Sequence, residues 1–309
     1  MNIVIKFEGL GMRGRLGAAG VALALLVSAC GTGAAAGADS ARIRVVTSTS
    51  VYGDLAADVA GTLSGDRVQI TSIIDNPNAD PHSYEANART ELAISRADLV
   101  VENGGGYDDF VSRMRKSAGS DAPVLNAVAI SGKHGPDLNE HVWYDFPSMR
   151  RLVARIAESL ASLDQAHAAT FRRNAAALER RIAGLERGAA AIRATHAGTG
   201  VAITEPVPLY LLTACGLVNR TPPRFTEAIE EGTDVPTRVL RETLRLFDTR
   251  TIALLVYNAQ TTSVETRRVL VAARSNDVAV VPVTETLPAG RSYVDWMAGN
   301  LAAVRAALS

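Results

Sequence analysis

Two cysteines in 309 residues are too few for a disulfide-stapled scaffold. A chain of this length needs none, because it can bury a normal core. Lysine plus arginine and aspartate plus glutamate each number 32, so there is no basic excess to neutralise phosphates. That balance argues against nucleic acid as a partner. Low-complexity tracts, internal repeats and long runs of like charge are all missing. No segment joins the ~20 apolar residues of a transmembrane helix to freedom from charge. The composition is ordinary for a globular chain, 47 % hydrophobic and 21 % charged. At about 100–200 residues per domain, the length favours two domains.

The N-terminus is the first informative segment. Arg13 and Arg15 precede an apolar run over 16–27, which leads into Ser28-Ala29-Cys30. A basic region, a short apolar region and small residues predict a secretory signal peptide over 1–29. Val27-Ser28-Ala29-Cys30 resembles a bacterial lipobox, which implies that Cys30 is lipidated and becomes the new N-terminus. Residues 30–41, rich in Gly and Ala, then form a flexible tether. The residues before Met12 fit no signal-peptide logic, which makes Met12 an alternative start. With Cys30 used by the anchor, Cys215 is unpaired and no intramolecular disulfide is expected.

Residues 42–146 read as an α/β lobe. A β-branched strand over 43–46 meets the polar turn Thr47-Ser48-Thr49-Ser50, then a helix marked by Leu55, Val59 and Leu63. A second strand over 68–74 ends in a turn-rich stretch from Asp75 to Pro81. A helix over 92–97 and a strand over 99–102 follow, closed by Asn103-Gly104-Gly105-Gly106. That glycine run lacks the lysine of a P-loop and reads as a turn. Alternating strands and helices predict a parallel sheet with right-handed crossovers.

Residues 147–197 read as a helical linker. A long helix starts at Asp164 as N-cap and runs to about His196, where Gly198 and Gly200 stop it. Its apolar positions, Phe171, Ala175, Leu178, Ile182, Leu185, Ala189 and Ile192, step four and three in alternation. One helix packed along two domains explains that stripe better than a coiled coil. Residues 198–309 resume the α/β pattern, with strands over 201–204, 251–257 and 278–283 and helices over 209–215 and 293–308. The expected fold is therefore α/β: two lobes with parallel sheets joined by one long rigid helix, with a site in the cleft between them.

Two of the five histidines sit in unusual settings. His82 lies in Asp80-Pro81-His82-Ser83-Tyr84-Glu85, after a strand. His141 lies in Asn139-Glu140-His141-Val142-Trp143-Tyr144-Asp145. A lone loop histidine is ordinarily solvated or capping, but two carboxylates change the weighing. Glu205 and Glu285 each follow a second-lobe strand at its carboxyl end, where open parallel sheets bind ligands.

These motifs, with Ala97-Asp98-Leu99-Val100 to Asn103-Gly104 and the long helix, resemble the solute-binding lipoproteins of zinc and manganese ABC importers (cluster A-I). The similarity covers nearly all of the mature chain. It implies an extracytoplasmic protein that is lipid-anchored to the outer face of the cell membrane and is not an enzyme. Its cargo would be one divalent transition-metal ion, Zn2+ or Mn2+. Its partners would be a membrane permease and its cytoplasmic ATPase, with the binding protein itself a monomer. The family's four ligands fall here on His82, His141, Glu205 and Glu285, the last replacing the usual aspartate.

Glu85, Asn258 and Gln260 are candidates to orient those ligands. Cys215 reads as a small core hydrophobe, and His134, His167 and His196 as surface residues. Two alternatives remain: a metal-dependent hydrolase with an open zinc site, and a surface adhesin. The hydrolase reading needs His-x-x-x-His or similar helical spacing, or a nearby general base, and the sequence shows neither; a Glu285 far from the other ligands would favour it. Two imidazoles and two carboxylates suit either metal.

Overall fold

The computed structural model describes residues 42–77, 84 and 87–309. The predicted signal peptide, Cys30 and its tether, His82 and Glu85 lie outside them. The first strand, β1 (Ile43–Thr49), is β-branched almost throughout and runs directly into α1 (Ser50–Ala60). The polar turn expected over 47–50 is absent. Thr47 and Thr49 instead belong to a central strand, paired in register with Ser72 and Ile74. The Thr47 hydroxyl donates to the Thr49 carbonyl at 2.9 Å and to Ser72 Oγ at 3.0 Å, so these polar residues are accommodated inside the sheet.

The first lobe continues through β2 (Val68–Ile74), α2 (Ala88–Ser95), β3 (Leu99–Glu102), α3 (Asp109–Ser117), β4 (Val124–Asn126) and α4 (Ala127–Ser131). The strand order is β2-β1-β3-β4, and every pairing is parallel. Both faces are covered, as such sheets require. Val45 and Val101 belong to the main core, whereas Val46 and Val100 pack outward with Ile94, Phe110 and Met114.

Two helices follow, α5 (Phe146–Leu163) and α6 (Ala168–His196). Asp164 does not cap the long helix as expected. Its carboxylate is held by Arg67 Nε at 2.6 Å and His167 Nδ1 at 2.8 Å. A 3₁₀ turn over 165–167 intervenes before α6 starts. His167 is thereby partly engaged rather than simply solvated. The seven predicted apolar positions of α6 are all buried. This helix packs on α5 and α1 along one stretch and on the second lobe's helices along another, so one helix does bridge the lobes.

The second lobe comprises β5 (Gly200–Ile203), α7 (Leu209–Ala214), β6 (Val218–Asn219), α8 (Pro223–Glu230), α9 (Thr237–Asp248), β7 (Leu254–Asn258), α10 (Val264–Ser275), β8 (Ala279–Val283) and α11 (Tyr293–Ala307). Its order, β6-β5-β7-β8, repeats that of the first lobe, again parallel throughout. A single core cluster runs from Val45 and Leu55 through α6 to Val256, Val283 and Trp296, so the lobes share one interior. Cys215 lies within it, its thiol pushed up to about 12 by burial. Among the described residues no helix is long and apolar enough to cross a membrane.

Candidate metal site

In each sheet the strand order reverses beside the first strand, and ligands of open parallel sheets bind beyond the carboxyl ends at such a point. In the second lobe that point lies between β5 and β7. Glu205 stands two residues past β5, Asn258 ends β7, and Glu285 stands two residues past β8. Both glutamates are buried, although a carboxylate seldom is unless it is paired or coordinates a metal. The Asn258 amide donates to Glu285 Oε1 at 2.8 Å, and Gln260 Oε1 accepts the Glu285 N–H at 2.5 Å. These two residues thus hold Glu285 directly. Tyr107 is buried close by, and burial, then the nearby Glu285 carboxylate, raise its pKa and keep its hydroxyl protonated.

The first lobe supplies His141, whose ring is fully buried. Asn139 fixes it. The Asn139 amide nitrogen donates to the Pro206 carbonyl at 2.9 Å, so its Oδ1 is the atom facing the histidine. Oδ1 accepts from the His141 backbone N–H at 3.0 Å and from Nδ1 at 2.6 Å. With Nδ1 carrying the proton, Nε2 is the ligand-capable atom of the neutral ring. Nε2 lies 3.6 Å from Glu230 Oε1 and 4.0 Å from Glu285 Oε2. Metal–ligand bonds of about 2.0–2.2 Å place the donors of a tetrahedral site roughly 3.4 Å apart, so these separations suit chelation better than hydrogen bonding. Carboxylate oxygens of Glu140 and Glu230 and a ring nitrogen of His141 lie within 4.8 Å of one another.

The loop framework explains why His141 arrives here. Beyond β3, Gly104, Gly105 and Gly106 all have positive φ (77°, 70° and 98°), and a Cβ at Gly104 would collide with Asn126. The turn wraps the Asp108 carboxylate, which accepts from the N–H groups of Asn103 (2.6 Å) and Gly104 (2.8 Å). That nest is filled from within. Asn103 in turn donates to the Glu140 carbonyl at 3.0 Å, placing the neighbour of His141.

Across the cleft, Tyr293 donates to the Trp143 carbonyl at 2.7 Å and Tyr144 to the Thr284 carbonyl at 2.8 Å. The backbone at Pro77 is also tied down. The Pro77 carbonyl accepts from Gln260 Nε2 and from Thr286 Oγ1, each at 2.9 Å, beside Glu285.

Four residues of this arrangement escaped the sequence reading: Asn139, Glu140, Tyr107 and Glu230. Asn139 was legible as the polar residue two positions before His141. Glu230, with Glu231, ends α8, where the helix dipole disfavours negative charge, and an acidic pair there is itself a signal. His134 is exposed, its Nδ1 3.0 Å from the Gly132 carbonyl, and plays no part in this cluster.

Comparison with known proteins bears on the family and the fold. The manganese-binding lipoprotein MntA of Halalkalibacterium halodurans is 28 % identical over 151 residues, covering 46 % of this chain and 47 % of its own. The substrate-binding lipoprotein FimA of Streptococcus parasanguinis is 29 % identical over 161 residues, covering 47 % and 49 %. The chain thus spans about half the length of the curated relatives it matches. In fold, it is similar to the solute-binding protein FpvC of Pseudomonas aeruginosa solved with Ni2+, with a TM-score of 0.71 at 24 % identity over 87 % of this chain and 97 % of that one. A laminin-binding adhesin of Streptococcus agalactiae gives the same TM-score at 19 % identity over 86 % and 100 %. A family model matches residues 45–307, nearly the whole of both lobes, and the chain belongs to that family, the zinc-uptake complex component A periplasmic proteins (ZnuA).

Proposed function

We propose that the protein is an extracytoplasmic solute-binding component that captures one divalent transition-metal ion and delivers it to an ABC importer. The observation that carries this is the pairing across the cleft: the buried Nε2 of His141 within 4.0 Å of a second-lobe carboxylate on Glu285. The ligand set is His82, His141, Glu205 and Glu285. Four protein donors close a coordination sphere, which suits holding an ion rather than activating water on it. A remote Glu285 would have favoured the hydrolase reading, and the 4.0 Å separation from His141 does not give it that support. The adhesin among the structural neighbours speaks to fold alone at 19 % identity.

Cys30 would carry the lipid anchor, in keeping with relatives named as lipoproteins. The partners are the importer's permease and ATPase, and the binding protein acts as a monomer. The hydrogen bonds from Tyr293 and Tyr144 across the cleft support release by local rearrangement rather than wide closure. The test is His141→Ala, read by competition titration with Zn2+ and Mn2+. Affinity for both should fall at least about 100-fold, as loss of a first ligand exceeds the 10–100-fold effect of its supports. Unchanged affinity for both ions would overturn the assignment.

A further inference from the structure

We infer that Glu230 is a further ligand to the cargo ion and raises the site's affinity for manganese(II) relative to zinc(II). This rests on the metal-capture reading above and names what that reading leaves open. Glu230 Oε1 stands 3.6 Å from His141 Nε2, closer than the 4.0 Å of Glu285 Oε2. Its side chain is 19 % exposed, whereas those of His141 and Glu285 are 0 % and 3 % exposed. Glu230 therefore forms the solvent side of the cluster, and the other two its floor.

The position gathers negative charge. Glu230 is the last residue of α8 and Glu231 caps it, with no basic residue in the final turn. The exposed carbonyls of a helix C-terminus add partial negative charge there. Glu285 Oε2 lies 4.0 Å from the same His141 nitrogen, and Glu140 brings a further carboxylate oxygen within 4.8 Å of Glu230 and His141. Like charges gathered in a partly buried space destabilise one another, and a divalent ion between them reverses the sign of that interaction.

Donor chemistry gives the direction of the selectivity. Among the described residues, the donors gathered around the His141 ring nitrogen are carboxylate oxygens, from Glu140 and Glu230 within 4.8 Å and from Glu285 at 4.0 Å. Carboxylate oxygens suit manganese, which accepts six-coordinate oxygen-rich sites. Zinc prefers four ligands in a tetrahedron with nitrogen or sulfur among them. An added carboxylate therefore strengthens manganese binding more than zinc binding. It narrows the intrinsic zinc advantage of the Irving–Williams order without needing to abolish it.

The experiment compares wild type, Glu230→Gln, Glu230→Asp and His141→Ala in the mature chain, titrated separately with MnCl2 and ZnCl2 against a chelating indicator. Gln keeps the size and removes the charge. It should lower Mn2+ affinity about 10-fold or more while moving Zn2+ affinity less than about 3-fold. Asp keeps the charge but withdraws it by one methylene and should give an intermediate ratio. The Mn2+ electron paramagnetic resonance spectrum should change in both. Metal-free thermal melts confirm that each variant is folded; should Gln fail to fold, the Asp ratio is the readout. Equal losses for the two ions, or no change in either, would overturn the role of Glu230 while leaving metal capture intact. Retention of both affinities in His141→Ala would instead overturn the cargo site itself.

Discussion

The two lobes carry the same sheet, with the second strand outside the first and the third and fourth on its other side. They differ in what they bring to the cleft. The first lobe supplies His141, set by Asn139, with Asn103 and the glycine turn behind it. The second supplies carboxylates, Glu205 and Glu285 beyond strands and Glu230 at a helix end. A repeated topology fixes where ligands can stand, because the carboxyl ends of both sheets meet one cleft. It does not fix which atoms stand there. Hard and soft donors can be exchanged without disturbing either sheet.

The largest expected effect breaks the separateness of the lobes. Phe171 on α6 is fully buried in the core that both lobes share. Phe171→Ala should cost about 3–5 kcal/mol. Because the core is common, both lobes should melt together in a single calorimetric transition at lower temperature. Two resolved transitions would show instead that the lobes are energetically independent.

The next prediction sharpens the contrast between an imidazole and the carboxylates. Asn139→Ala removes the acceptor that fixes the His141 tautomer and should weaken metal binding about 10–100-fold. Binding isotherms should show the loss while the metal-free melting temperature moves little. Tyr293→Phe removes one hydrogen bond that ties the second lobe to the Trp143 carbonyl. Leaving that carbonyl unpaired should lower stability by about 1–3 kcal/mol, measurable by urea denaturation.

The smallest effect is one of pH. Asp54 on α1 accepts the Tyr293 N–H at 2.7 Å, capping α11 from the other lobe. Burial raises its pKa to about 6, against the partial relief given by that hydrogen bond. An unfolded aspartate titrates near 3.9. The folded state therefore holds the proton more tightly, and this contribution to stability is full below about pH 4 and lost as pH rises to about 6. Asp54→Asn should remove that loss, making wild type lose roughly 1–2 kcal/mol more than the variant over this window. Asp108, pushed to about 6 chiefly by burial, adds a slope of the same sign that both proteins keep.

Much of the fold was legible because periodicity survives in single segments. The strands over 68–74 and 99–102 were read with their observed bounds, and the α6 stripe matches the buried face residue for residue. The stretch over 216–250 was not read as structure. It holds β6, only two residues long, and the helices α8 and α9, although the buried Val239, Leu240, Thr243 and Phe247 of α9 recur at helical spacing. A strand as short as β6 is defined by the neighbours it covers. The polar end of the first strand misled for a similar reason: Thr47 and Thr49 look like a turn until Ser72 and the neighbouring strands are placed beside them.

The sequence by itself determined the α/β alternation, the bridging helix and the candidate histidines and strand-end glutamates, since each depends on residues adjacent in the chain. Only the tertiary structure decided which carboxylates face His141. Glu285, 144 positions away, and Glu230, 89 positions away, reach its Nε2 because two separately formed sheets turn their carboxyl ends into one cleft. Local propensity carries no information about such a meeting. It is set by how α6 packs both lobes onto one core, and that is a property of the whole chain.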